Sequence, residues 1–329
     1  MVIKTVILIS LFFVPQILII SGFVTETWQL FGCYILSAFG MSGIGMGVMH
    51  DACHGSYSKS PFVNKMVSYT LNMVGASSEV WRIQHNVLHH SYTNIHEHDD
   101  DINAPFFLRF SPEAEQNKLH KYQHLYAWFF YSLSTLSWVT AKDFIRLKRY
   151  HKKGLVKGEN GYRNTLWTII AWKVVYFAFI LGLPLLFAPF PFWMILLGYV
   201  TMHFVTGFII TMVFQIAHIV EDVNFPVADE NGTVEGERIL HQLATTCNFS
   251  PNSRIITWFA GGLNYQVEHH LFPDICHVHY KDIAPIVKAT AEEFNVPYYS
   301  KPNFFMAVLD HFKMLYILGN TPKLEPQKA

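Results

Sequence analysis

Four apolar runs dominate the chain: residues 5–23, 28–48, 166–187 and 192–217, which between them hold a single charged residue, Lys173. At about 1.5 Å per residue, a helix of about twenty residues crosses roughly 30 Å of hydrocarbon. Only short turns separate the first run from the second and the third from the fourth, and a long polar segment follows each pair. The pattern predicts an all-α integral membrane protein, a single membrane domain over residues 1–329 with four transmembrane helices in two hairpins. Residues 49–165 and 218–329 then form a helical cap outside the bilayer. Residues 125–139 are apolar but shorter than a span, as an interfacial or re-entrant helix would be.

Charge orients these elements. Residues 50–165 hold fourteen Lys/Arg and the segment after His218 holds eight, whereas the two hairpin turns hold none. The positive-inside rule places both long segments and both termini in the cytoplasm, at the plasma membrane of a bacterium or the endoplasmic reticulum of a eukaryote. Residues 142–163 are basic and suited to anionic headgroups. Lys173, inside the third run, is read as snorkelling toward the cytoplasmic interface, or as a sign that the helix starts later. The N-terminal run lacks a small-x-small cleavage site and is followed at once by a second span, so it reads as a retained helix, kinked at Pro15.

Composition agrees with a bilayer: 51% of residues are hydrophobic and 15% charged. The net charge of zero gives nucleic acid no electrostatic footing. Cys33, Cys53, Cys247 and Cys276 show no CxxC spacing, and in a cytoplasmic cap they are reduced thiols.

Histidine is the anomaly, with eighteen against 24 Lys and Arg together. His50-Asp51-Ala52-Cys53-His54 follows the second run, and its i,i+4 pair shares a helical face. In His85-Asn86-Val87-Leu88-His89-His90, an α-helix puts His85 and His89 on one face and turns His90 about 100° away, toward a neighbouring ion. In Gln266-Val267-Glu268-His269-His270, positions i, i+3 and i+4 share a face, with an amide where a third imidazole might otherwise stand. His218, at the cytoplasmic end of the fourth run, is an eighth candidate. So many imidazoles exceed one tetrahedral site and indicate two metals. Imidazole suits iron, zinc and copper; an all-nitrogen, carboxylate-poor site at a membrane favours iron and oxygen chemistry on a lipid. Asp51, Asp99, Asp100, Asp101, Glu221 and Glu268 are candidates to hold the distal ring nitrogens. His203 lies about 22 Å along its helix from His218 and is not assigned to the metals.

At HDACH, HNVLHHSYTNI and GGLNYQVEHHLFP the sequence resembles the membrane fatty-acid desaturase family, over about residues 47–280. The glutamine-headed third box is similar to that of front-end, Δ6-type desaturases. The resemblance implies that His50, His54, His85, His89, His90, His218, His269 and His270 ligate two iron ions, with Gln266 standing where many relatives have histidine. It implies O2 as co-substrate, a cis double bond as product, and a fatty-acyl lipid or acyl thioester as substrate. No HPGG haem motif occurs, so electrons are expected from a separate ferredoxin or cytochrome b5-like carrier. Gly40, Gly43, Gly45 and Gly47 serve helix packing or make room for the acyl chain, packing being favoured. A hydroxylase or ketolase on the same site is the alternative. A divalent-metal transporter is remote, because transporters place ligands near the midplane of broken spans.

Overall fold

The structure is a computed structural model that describes residues 1–229, 233–234 and 236–322. It is mostly helical, and four helices are long and apolar enough to cross a membrane: Val2–Ile20, Thr27–His54, Gly158–Phe187 and Phe192–His218. They occupy the four apolar runs. The second continues six residues beyond its run, and the third begins at Gly158, before the run rather than later. Residues 323–329 of the predicted C-terminal segment lie outside the described residues. The chain divides into two compact units, Met1–Ile83 with Phe129–Thr211, and Gln84–Trp128 with Met212–Ala329.

In the first unit the first two helices pack tightly. Lipid tails are as apolar as leucine, so close backbone approach and internal hydrogen bonds hold such a pair together. A Cβ on Gly40 would sit 2.7 Å from the carbonyl carbon of Leu11, and one on Gly43 would run into the Leu8 side chain. Packing is therefore what these two glycines serve. Alongside them, Gln16 Nε2 donates to Ser37 Oγ (2.8 Å), and Ser37 Oγ to the Phe12 carbonyl (3.0 Å). The intervening turn is held by the Gln29 side chain, which accepts from the Glu26 N–H at 3.1 Å. Phe23 and Trp28, where the first of the four long helices gives way to the second, and Phe187, Phe192 and Trp193, where the third gives way to the fourth, are exposed. The second helix widens to a π-turn at Ile44–Val48, resumes as Met49–His54 and stops at Gly55, whose φ of +81° suits glycine.

Lys173 does not snorkel. Its ammonium is buried, 2.9 Å from Asp143 Oδ2, and donates to the carbonyls of Gly75, Trp138 and Val139 at 2.9–3.0 Å. Asp143 also accepts from the Ser77 N–H and from Trp138 Nε1, both at 3.1 Å. Burial pushes its carboxyl up, and Lys173 works against that shift. Residues 125–139 are not one helix: Gln123–Ser132 gives way to Ser134–Ser137 and a π-turn at Trp138–Lys142 before Asp143–Lys152. His203 is buried between the Tyr176 hydroxyl (2.7 Å) and Thr135 Oγ1 (3.1 Å), a satisfied polar contact within the helices.

The second unit is braced by polar anchors. Arg109 is buried and donates to the carbonyls of Ala114, Leu318, Thr321 and Pro112, tying the Phe304–Asn320 helix down. Strands Cys247–Phe249 and Tyr299–Lys301 pair in parallel, with Cys247 opposite Tyr299. Lys301 reaches Asp222 at 2.6 Å and Asp310 at 2.7 Å, and His311 Nδ1 donates to the Ile219 carbonyl at 2.8 Å. These bonds fix the chain just after His218.

Candidate metal centre

His50 and His54 belong to the first unit. One helical turn apart, their rings lie 4.7 Å centroid to centroid, and Trp81 meets both edge-on at 5.6 and 5.8 Å. Asp51 Oδ1 is 3.8 Å from His50 Nδ1, beyond hydrogen-bond length.

The other candidates converge in the second unit, on three elements. The Ser77 hydroxyl caps a short helix, Ser78–Arg82, which runs into a π-helix at Ile83–His89. This changes the facing read from the sequence. The His90 N–H bonds the His85 carbonyl at 3.0 Å, an i→i+5 bond, so His90 turns toward His85 instead of away from it, while His85 and His89 keep their shared face with rings 5.0 Å apart. The Nε2 atoms of His85 and His90 are 3.3 Å apart, and His90 Nε2 is 3.0 Å from His269 Nε2. His89 turns to a second group: its donor atom and those of His218 and His270 all lie within 4.8 Å of one another. The Gln266–Leu271 helix feeds both groups: His269 joins the first, and His270 joins the second while its donor atom also lies within 4.8 Å of those of His90 and His269. Gln266 joins the second; its amide nitrogen is 2.9 Å from His218 Nε2 and 3.3 Å from His270 Nε2. Turning that amide over presents Oε1 to the same point.

The imidazoles are held from behind. His89 Nδ1 donates to Asp99 Oδ2 and His85 Nδ1 to Asp101 Oδ2, each at 2.9 Å. Asp99 also accepts from the N–H groups of Asn94 (3.0 Å) and Asp101 (2.9 Å), and Asp101 from Gln84. His270 Nδ1 is 2.7 Å from Gln242 Oε1, and His269 Nδ1 is 3.4 Å from the Tyr280 hydroxyl. Asn94, at φ +62°, donates to the His218 carbonyl at 2.9 Å. Its small polar side chain makes it one of the few residues that tolerate that conformation.

Two acidic candidates fall elsewhere. Glu268 is buried but accepts from Asn248 (2.8 Å) and Tyr298 (2.9 Å), and Glu221 is exposed. Asp100 is buried and accepts a long bond from Asn103 at 3.5 Å. The sequence reading missed Gln242, Asn94 and Tyr280. No spacing rule points to them, since each reaches its histidine through the fold.

The electrostatics suit a cation. Burial, then the neighbouring imidazoles, push His270 well below the usual histidine range, so its ring is neutral. For His89 burial also opposes charge, but Asp99 outweighs it and the net direction is upward. With Nδ1 committed to Asp99, His89 Nε2 is buried without a hydrogen-bond partner. An orphaned nitrogen among converging neutral imidazoles fits a metal ion about 2 Å from each. The histidine groups can hold metal.

Helices long and apolar enough to cross a membrane, joined to buried histidine groups that could hold metal, fit a membrane metalloprotein. The family model described as fatty acid desaturase matches residues 26–302, and the chain belongs to that family, as an oxidoreductase. It is 36% identical over 301 residues to the sn-1 linoleoyl-lipid 6-desaturase of Arthrospira platensis, covering 90% of this chain and 79% of that one. To the enzyme of the same name from Synechocystis it is 33% identical over 322 residues, 97% of this chain and 88% of that one. To the acyl-lipid (8-3)-desaturase of Physcomitrium patens it is 38% identical over 280 residues, 84% and 58% of the two chains.

Proposed function

We propose that the chain is a front-end acyl-lipid desaturase that introduces a cis double bond between an existing one and the carboxyl end of a lipid-bound fatty acid. The observation that carries this reading is the convergence of His89, His218 and His270 with Gln266 on one buried point. The names of the Arthrospira and Synechocystis relatives support the sixth carbon of a linoleoyl chain.

The histidines of the three boxes, with His218 and Gln266, hold two irons. His89, His218, His270 and Gln266 would serve one of them. Bound iron supplies the activation of O2 that removal of hydrogen from an unactivated methylene requires. The protein's own part is geometric. Asp99 and Asp101 keep protons on the Nδ1 atoms of His89 and His85, leaving each Nε2 lone pair for metal. Burial keeps bulk water from the centre, and Asn94 locks the His218 backbone to the loop that carries Asp99. Two hydrogens leave the substrate, a donor supplies two electrons and the medium two protons, and O2 leaves as two waters.

The rest of the reading is topological. The chain acts as one membrane domain, its four spans in two hairpins, with the histidine-bearing segments and both termini in the cytoplasm. A separate ferredoxin or cytochrome b5-like carrier delivers the electrons. The test is expression in a host fed linoleate, with mass spectrometry locating new unsaturation and His269→Ala as control. A new bond at the sixth carbon, absent from the control, is expected. A hydroxylated lipid without new unsaturation would favour a hydroxylase, and identical profiles in both strains would end the reading.

A further inference from the structure

We propose that Gln242 is a positioning residue of the metal centre: its carboxamide sets the ring of His270 and joins the second histidine box to the third. The inference rests on the reading that His270 holds iron. Gln242 lies on the Arg238–Thr245 helix, 28 residues before His270, and is 1% exposed. Its Nε2 donates to the His90 carbonyl at 3.3 Å, which turns the other end of the amide inward. There Oε1 meets His270 Nδ1 at 2.7 Å and the Thr93 hydroxyl at 3.0 Å.

An amide oxygen only accepts, so His270 must carry its ring proton on Nδ1 and present the Nε2 lone pair to the metal. His85 and His89 have the same arrangement, but behind them stand carboxylates, Asp101 and Asp99. Behind His270 stands a neutral amide. A carboxylate raises ligand basicity and adds negative charge, which Gln242 does not do, and so it leaves His270 a weaker donor than His89. Gln266, also an amide, completes the same group.

Gln242 itself is fixed at the backbone. Thr246 Oγ1 donates to the Gln242 carbonyl at 2.6 Å, Asn94 Nδ2 to the Thr245 carbonyl at 3.3 Å, and His241 Nε2 to the Thr93 carbonyl at 3.0 Å. Leu243 is buried next to it. A side chain anchored this way holds one geometry, as orientation of a ligand demands.

The experiment uses the full chain in lipid nanodiscs, loaded anaerobically with ferrous iron, as wild type, Gln242→Met and Gln242→Glu. Iron per chain, the affinity for each ion and the Mössbauer spectrum are read together. Gln242→Met should weaken one iron by roughly 10–100-fold and spare the other. Gln242→Glu, which restores an acceptor, should keep both irons and shift the spectrum of one. Two tight irons with wild-type spectra in Gln242→Met would overturn the inference. So would equal iron loss in both variants, the mark of a packing defect. If Gln242→Met fails to fold, the Gln242→Glu spectrum decides: a shift at one iron supports the role and an unchanged spectrum refutes it. Wild type that binds no iron would instead end the metal reading beneath it.

Discussion

Lys173 is the only charged residue within the four apolar runs, and the structure gives it a definite energetic role. Its ammonium is 8% exposed and faces Asp143, at 0%, across 2.9 Å, so little solvent screens the pair. At an effective dielectric of about 20 the attraction is about 6 kcal/mol, much of it offset by the desolvation of both groups. Lys173→Met leaves a buried carboxylate with two N–H donors and strips a donor from three carbonyls. Breaking such a pair costs about 3–5 kcal/mol. Asp143→Asn costs less, because the amide oxygen still accepts a bond. The double variant leaves no uncompensated charge, so it should be more stable than the sum of the singles implies, by about 2–3 kcal/mol. Equilibrium unfolding in mixed micelles, followed by tryptophan fluorescence, measures the cycle. Additivity within about 0.5 kcal/mol would refute the reasoning.

Asp99→Asn should cost roughly 10–100-fold in iron affinity by equilibrium dialysis, because one donor then faces a donor behind His89. Glu221→Gln, on an exposed side chain, should leave it unchanged. Gly40→Ala drives a methyl into the first helix and should cost about 1–3 kcal/mol in the same unfolding assay. Gly32→Ala, where nothing lies within 4 Å of the added carbon, should cost nothing. His311 is buried and held down to about 4 from 6.5, chiefly by burial. The unfolded chain therefore binds its proton first, and stability falls as the pH drops through 6.5 toward 4, by about 3 kcal/mol in all. In His311→Gln, unfolding free energies between pH 7 and pH 4 should show a shallower acid loss by about that amount.

The spans and the histidine groups were readable because each signal is local. Runs of about twenty apolar residues and i,i+4 imidazoles need no knowledge of the fold. His218 was legible from its place at a helix end, and Asp99 and Asp101 from their nearness to the second box. The direction of His90 was not. An α-helical period puts His89 beside His85, as found, but turns His90 away, whereas the i→i+5 bond from His90 to His85 brings it alongside, and nothing in the residue types marks the change of winding. Lys173 was misread for a related reason, as its partner Asp143 lies thirty residues away and only folding brings it close. Gln242 is the same case at the metal centre, a common residue whose meaning is a single 2.7 Å contact.

The most direct test of the central claim is a single turnover. The purified chain, loaded with ferrous iron, is placed in nanodiscs whose lipid carries linoleate at sn-1, without any electron donor, and exposed to O2. The iron itself then supplies the electrons, and the new double bonds are counted by mass spectrometry against the iron present. The account expects about one new double bond for every two irons, and none without O2 or after the iron is chelated. Double bonds formed by the iron-free chain, or none formed by the fully loaded one, would contradict it.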